Sequence, residues 1–282
     1  MLCKIGDVEI WRILDWQGLF LPPEKLFPNA PAQVADLIER LAPGSVDAAT
    51  GRLILPVQAF LLKRRGRTIL IDACIGNHKT CALDVWAARD DGRFLAGLAA
   101  AGVDPAGIDA VLCTHLHVDH VGWNTRLETG RWVPTFPNAR YLLPAADNAT
   151  FANDAAAHYT ESVLPVIAAG QAEFVSGAHE VDRGITLWPT PGHTPGHASV
   201  LIESGGARAV ITGDAIHSSA QCAHPGWHFR YDSDPDLAAA SRRRLLEMAS
   251  ETGLELLGSH FVLPSRGRVR AEGDVFAWQP LA

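Results

Sequence analysis

Four residues of metal-ligand type fall within six positions of one another: His115, His117, Asp119 and His120. The run before them, 108–114, is short and apolar and reads as a buried strand. His115 and His117 are two residues apart, so extended backbone sends both side chains the same way. Asp119 and His120 serve a second direction, and a tight loop has to fan the four out. The chain holds 12 histidines, and others are clustered too. His193 pairs with His197; His217, His224 and His228 form a third group; His260 stands near the end. Histidine used only for surface polarity would be scattered.

The elements that must position these residues can be read from pattern. Residues 8–14 mix apolar and polar types as a largely buried strand. Residues 15–50 are rich in proline and aromatics and read as an irregular arm with a short helix over 32–41. It is either a lid or binding wall, as long loops often are, or a packed extension over an edge strand. The β-rich runs 57–63 and 68–72 are joined by Arg64-Arg65-Gly66, a hairpin signal. A helix follows near 92–101, then the strand into the histidine cluster, then a strand at 140–143. Residues 144–169 are alanine-rich and helical, interrupted by Pro165. Strands are expected at 185–189, 198–203 and 209–212, with a turn at Gly205-Gly206. Asp234-Pro235 offers an N-cap and an N1 proline for a helix to about residue 250, with Leu237, Leu245 and Met248 on its buried stripe. A last buried strand, 254–257, ends at Gly258-Ser259-His260.

Two stretches run in parallel. RTILIDACI (67–75) and ARAVITGDAI (207–216) each close a hairpin and end an apolar run in Asp-Ala. Each is followed by a helix and an apolar strand that stops at a histidine. The chain therefore reads as two copies of a ββαβ unit, which implies an α/β (α+β) fold: an αββα four-layer sandwich with the strand ends of both halves at one rim. Residues 1–50 form the N-terminal strand and arm of the same domain, and 51–282 the body that carries the chemistry.

Composition narrows the function. Over 282 residues the net charge is −7, which argues against a nucleic-acid partner. No apolar run approaches the ~18 residues of a membrane span. The five cysteines are odd in number and form no CxxC, so a disulfide framework is not expected. The first residues lack the apolar segment of a signal peptide. The expected setting is the reducing cytoplasm. An arm dense in Trp, Phe and Pro would expose apolar area if unpaired, which suggests a homodimer.

THLHVDH (114–120) resembles the THxHxDH signature of the metallo-β-lactamase-fold hydrolases. TPGHTPGH (190–197), ITGD (211–214) and GSHF (258–261) are similar, in order, to that superfamily's later ligand segments. The resemblance covers roughly residues 50–270 and implies two metal sites. One is made by His115, His117 and His193, the other by Asp119, His120 and His260, with Asp214 bridging. Imidazole and carboxylate donors without thiolate suit Zn²⁺, with Mn²⁺, Co²⁺ and Fe²⁺ left open. The implied chemistry is hydrolysis by a hydroxide shared between two ions, Asp119 serving as ligand and proton shuttle. His217 lies three residues after Asp214, where lactonase relatives commonly carry tyrosine. It either donates to the substrate carbonyl or simply walls the pocket. His197 reads as a support rather than a ligand.

The C-terminal half (GDAIHSSAQ, YDSDPDLAAASRRRLLEMA, and the closing RAEG) resembles methyl parathion hydrolase and its lactonase relatives. Trp11, Trp16, Phe20, Trp123, Trp227 and Phe229 are either walls of an apolar pocket or core residues, and for Trp11 on its strand the core reading is the stronger. The expected activity is opening of small-molecule esters or lactones. The alternatives are a phosphotriesterase and a metal-binding scaffold without turnover.

Overall fold

In a computed structural model, which describes residues 1–154 and 156–281, the chain forms two seven-stranded sheets and a small hairpin. Strands are numbered along the chain. Cys3–Ile5 (β1), Val8–Leu19 (β2), Ile54–Arg64 (β3), Arg67–Ile71 (β4) and Ala110–Leu112 (β5) are followed by the hairpin Thr125–Glu128 (β6) and Arg131–Pro134 (β7), then Arg140–Pro144 (β8) and Ala172–Val175 (β9). The first sheet has the order β1-β2-β3-β4-β5-β8-β9. His179–Asp182 (β10), Ile185–Pro189 (β11), Ala198–Ser204 (β12), Ala207–Ile211 (β13), Glu255–Leu257 (β14), Arg266–Glu272 (β15) and Val275–Pro280 (β16) form the second sheet in sequential order.

Two compact units result. One is Met1–Trp16 with Val57–Ser176, the other Gln17–Pro56 with Gly177–Ala282. The chain leaves the first unit inside β2 and returns to it inside β3.

Each unit contains the repeat read from the sequence. In the first, β3 and β4 are antiparallel with Phe60 opposite Ile71, the helix Arg93–Ala100 follows, and β5 lies parallel to β4. In the second, β12 and β13 are antiparallel with Val200 opposite Ile211, the helix Pro235–Thr252 follows, and β14 lies parallel to β13. The parallel pairs end alike. The Asp72 amide donates to the Leu112 carbonyl at 2.8 Å, and the Thr212 amide to the Leu257 carbonyl at 3.0 Å. Both halves thus bring two loops to the carboxyl end of a parallel strand pair, where α/β sheets place their ligands.

The helix Pro235–Thr252 begins and ends as its residues dictate. The Asp234 carboxylate accepts the Leu237 amide, Pro235 fills N1, and Gly253 takes a left-handed φ of 67° after the last turn. Its buried face is not the expected stripe. Leu237 is 42% exposed, and the face is Ala238, Ser241, Arg242, Leu245, Leu246 and Ala249. The backbone of Gly192 crosses at Ala238, where an added Cβ would lie 2.1 Å from the Ala238 nitrogen, so the small side chain must face inward and Leu237 is turned out. Leu245, Leu246 and Ala249 join Val210, Leu256 and Phe261 in the core of this unit.

Other differences are of extent. β2 runs on through Trp16 to Leu19, and residues 144–169 form three short helices, Ala145–Phe151, Ala157–Ser162 and Leu164–Ala168. β15 and β16 were not expected. The apolar residues of the arm are buried within the second unit: Phe20, Leu26, Phe27, Val34 and Ile38. Phe27 lies 5.8 Å from Trp227 and 5.7 Å from Phe229 between ring centroids. The homodimer was expected from apolar area on this arm, and these five residues are covered within the unit itself. No helix among the described residues is long and apolar enough to cross a membrane.

Candidate metal centre

In the first unit, the segment after β5 fans out its ligand-type residues as a tight loop leading into a single helical turn, Val118–Val121. His115 Nε2 and His117 Nδ1 converge to 3.0 Å. The His115 and His120 rings are 4.0 Å apart between centroids, and His120 Nε2 is 3.8 Å from Asp119 Oδ2.

The loop after β4 holds this arrangement from behind. Asp72, with a left-handed φ of 61°, accepts the Thr114 amide at 2.7 Å and hydroxyl at 3.0 Å, and takes the His120 Nδ1–H at 2.9 Å. The two loops are joined by main-chain bonds from Ala73 to His120, Gly122 to Cys74 and Trp123 to Ala73, all at 2.6–2.7 Å. Only glycine fits at the crossing, because a Cβ on Gly122 would lie 1.7 Å from the Ile75 oxygen. Asp15, fully buried, accepts from the Ile75 amide at 3.0 Å, the Trp123 indole at 3.2 Å and Arg89 at 3.0 Å. Asp147 accepts the Leu116 amide at 3.1 Å.

In the second unit, one carboxylate organises the donors. Asp214 Oδ2 lies 3.2 Å from His193 Nε2 and 3.1 Å from His217 Nε2, while Oδ1 lies 3.1 Å from His260 Nε2. The donor atoms of His193, Asp214 and His217 lie within 4.8 Å of one another. His197 stands outside this group, as expected of a support. Its Nε2 accepts the Asp214 amide at 2.9 Å, and its Nδ1 is 2.9 Å from the Thr190 hydroxyl.

The residues fit metal ions by a chemical criterion. A ligating imidazole presents one nitrogen and has the other fixed by an acceptor. His120 Nδ1 is held by Asp72, His193 Nδ1 by Asp232 at 2.9 Å, and His260 Nδ1 by the Pro56 carbonyl at 2.8 Å. His115 Nδ1 faces the Thr114 hydroxyl at 3.1 Å. The Nε2 of each of the four is then left on the side of the other donors.

Charge follows burial and pairing. Burial opposes a charged His193, but its hydrogen bonds to Asp214 and Asp232 outweigh that and raise it to about 9. Burial dominates at His217 and lowers it to about 4. Asp232 is held below the usual carboxylate range because the His193 bond and nearby cationic groups overcome its burial. Arg242, wholly buried on the helix Pro235–Thr252, falls to about 10 through burial, with Asp232 opposing.

His158 is half-buried, edge-on to Phe151 at 5.2 Å, and Phe151 is edge-on to His117 at 5.7 Å. The loop around Trp227 is tied down. Gln221 and Arg242 both donate to the Trp227 carbonyl, and Asn29 bonds Gly226 and His228. Trp123 is no pocket wall but a core ring stacked on Phe94 at 5.2 Å. Of the aromatics singled out, Phe229 lies at the donor cluster, stacked on His217. Cys113 is buried against Asn124.

The supports Asp72, Asp147, Asp232 and Arg242 were not singled out in the sequence. Asp72 left a signal as the partner of Asp214 in the internal parallel, and Asp232 and Arg242 lie in the stretch YDSDPDLAAASRRRLLEMA that carries the resemblance.

The sequence model of the metallo-beta-lactamase superfamily matches residues 53–260. An N-acyl homoserine lactonase of Bacillus sp is 28% identical over 179 residues, which are 63% of this chain and 66% of that protein. Another N-acyl homoserine lactonase, from Bacillus cereus, is 25% identical over 243 residues, 82% of this chain and 91% of its own length. Among solved structures, the hydrolase AbOPH of the beta lactamase superfamily has a TM-score of 0.82 at 24% identity, covering 99% of this chain and 96% of that one. AidC, a dizinc quorum-quenching lactonase in complex with a product, has a TM-score of 0.79 at 21% identity, with the same coverage. The structural likenesses show a shared fold, and the sequence match extends over most of the chain: it belongs to the metallo-beta-lactamase superfamily.

Proposed function

We infer that this metal-dependent hydrolase opens lactones, with N-acyl homoserine lactones as the first class to test. The observation that carries the reading is the division of the Asp214 carboxylate. One oxygen faces His193 and the other faces His260, as a carboxylate shared between two cations requires. The curated lactonase relatives support the substrate class. By the resemblance, His115, His117 and His193 would hold one ion and Asp119, His120 and His260 the other, with Asp214 contributing to each. Two divalent ions, Zn²⁺ by donor type, would polarise the lactone carbonyl and lower the pKa of water when bound.

The chain's own residues have distinct tasks. Asp72 and Asp232 hold His120 and His193 in the tautomer that leaves Nε2 available. Asp119 is assigned the transfer of a proton from the attacking water to the leaving alkoxide. His217 is assigned a positioning task in place of carbonyl donation. An ionised Asp214 only accepts, so His217 Nε2 is the donor in their 3.1 Å contact. A neutral ring then has no second N–H for a substrate.

The test is a hydrolysis panel of the Zn²⁺-loaded protein on hexanoyl- and decanoyl-homoserine lactone, a γ-lactone, an aryl acetate and methyl paraoxon. The expected order places the acyl homoserine lactones first by kcat/KM. A preference for the phosphotriester, or no turnover of any lactone, overturns the reading.

A further inference from the structure

We propose that Arg242 is the positioning residue that sets the spacing between His193 and Asp214, and so sets metal affinity in this half of the centre; this rests on the two-metal reading above. Arg242 is the largest wholly buried side chain among the described residues. A guanidinium is not buried for packing alone, because desolvation of the charge has to be offset by well-made partners. Its partners connect to two different members of the donor cluster. Nε donates to the Ala215 carbonyl at 2.7 Å, the residue next to Asp214. NH2 faces the Asp232 carboxylate at 3.8 Å. NH1 donates to the carbonyls of Pro225 at 2.7 Å and Trp227 at 2.6 Å.

Asp232 carries the connection to His193. Its Oδ1 takes the His193 Nδ1–H at 2.9 Å, and its Oδ2 accepts the Phe229 amide at 2.8 Å. The same cation therefore fixes the Asp214 turn through one main-chain carbonyl and faces the carboxylate behind His193. The two ligands it serves are 21 residues apart in sequence, and their facing atoms are 3.2 Å apart. The rigid planar fork suits this task. A lysine ammonium is a single point on a flexible stem and cannot occupy both directions at once.

The experiment compares wild type with Arg242→Met, Arg242→Lys, Asp232→Asn and the Arg242→Met/Asp232→Asn pair. Arg243→Ala, an exposed arginine one position along the same helix, is the control. Folding is checked by circular dichroism. Metal-free proteins are titrated with Zn²⁺ against a chromophoric chelator, and with Co²⁺ to record the visible spectrum. Loss of a residue that supports a ligand typically weakens metal binding about 10–100-fold. That loss is expected for Arg242→Met, with an altered Co²⁺ spectrum, while Arg243→Ala matches wild type. Arg242→Lys, more tolerant of folding, is expected to recover only part of the affinity. The pair is expected to lose less than the product of its single losses, because the two groups act through one histidine.

A folded Arg242→Met or Arg242→Lys protein with wild-type affinity and spectrum overturns the proposal, as does strict multiplicativity of the pair. If wild type takes up no metal, the two-metal reading fails and crystal structures of the two Arg242 variants decide. An unchanged His193–Asp214 spacing then overturns the positioning role, and a displaced pair supports it.

Discussion

The imidazole of His217 lies flat on the ring of Phe229, with centroids 3.4 Å apart and planes at 16°. This stack fixes the plane of His217 while its Nε2 meets Asp214. His217 Nδ1 has no hydrogen-bond partner among the described residues. The residue is only 2% exposed, which suits a support better than a group reaching for substrate.

Substitution separates those two roles. His217→Phe is expected to weaken Zn²⁺ binding about 10–100-fold. His217→Asn, which retains an N–H for Asp214, should lose less. The check is metal affinity measured beside kcat at saturating metal. A donor to the developing oxyanion would instead show a ~10²–10³-fold fall in kcat with metal still bound.

Asp214 and His197 should differ in consequence. Asp214→Ala removes both oxygens that face the histidines, so metal content by elemental analysis is expected to fall toward one ion per chain or below. His197→Ala removes only the acceptor for the Asp214 amide and should retain more metal. Equal losses in the two variants would place His197 among the ligands.

Asp72→Asn tests the support behind His120. An amide can accept from Thr114 or from His120, but it no longer carries the charge that favours His120 Nδ1–H. Metal affinity is expected to fall about 10–100-fold, and the thermal midpoint of the metal-free protein should fall too. Differential scanning calorimetry beside the chelator titration measures both.

Lys79 gives a pH-dependent signature of stability. Its ammonium donates to the Thr125 hydroxyl at 2.6 Å, lies 3.5 Å over the Trp132 ring, and is lowered by burial to about 7. Between pH 7 and about 10.4 the unfolded chain holds this proton and the folded chain does not, so the lysine's contribution makes stability rise with pH. Below pH 7 both states are protonated and the burial cost is constant. Lys79→Met lacks this dependence. Its stability relative to wild type, from urea unfolding at pH 6, 7.5 and 9, should therefore decline as pH rises. A constant difference across that range contradicts a depressed pKa.

What was legible in the sequence was what repeats or what clusters. The segment from Thr114 to His120 announced itself because four ligand-type residues rarely share six positions, and the halves matched because strand pairs and Asp-Ala turns recur at corresponding places. Asp232 and Arg242 stood inside a stretch that carries the resemblance, with nothing in it to mark either as a support. An aspartate in DSD and one arginine of three in a row look like solvated charge until the helix's phase is known, and the Leu237 misplacement shows that this phase was set by Gly192, more than 40 residues away. β15 and β16 alternate apolar and charged residues about Gly273, but several of their outward residues are arginine and glutamate, which weakens the strand pattern.

The crossing of the chain inside β2 and β3 has a consequence for anyone who wishes to dissect the protein. Its second unit is discontinuous in the gene. A fragment beginning at Gly177 would lack residues 17–56, and with them Phe27, which packs on Trp227 and Phe229, the Leu26 carbonyl that receives the Arg230 amide, and the Pro56 carbonyl that holds His260. Expression of that half alone would require the arm to be grafted back on, by a circular permutation or as a co-expressed peptide.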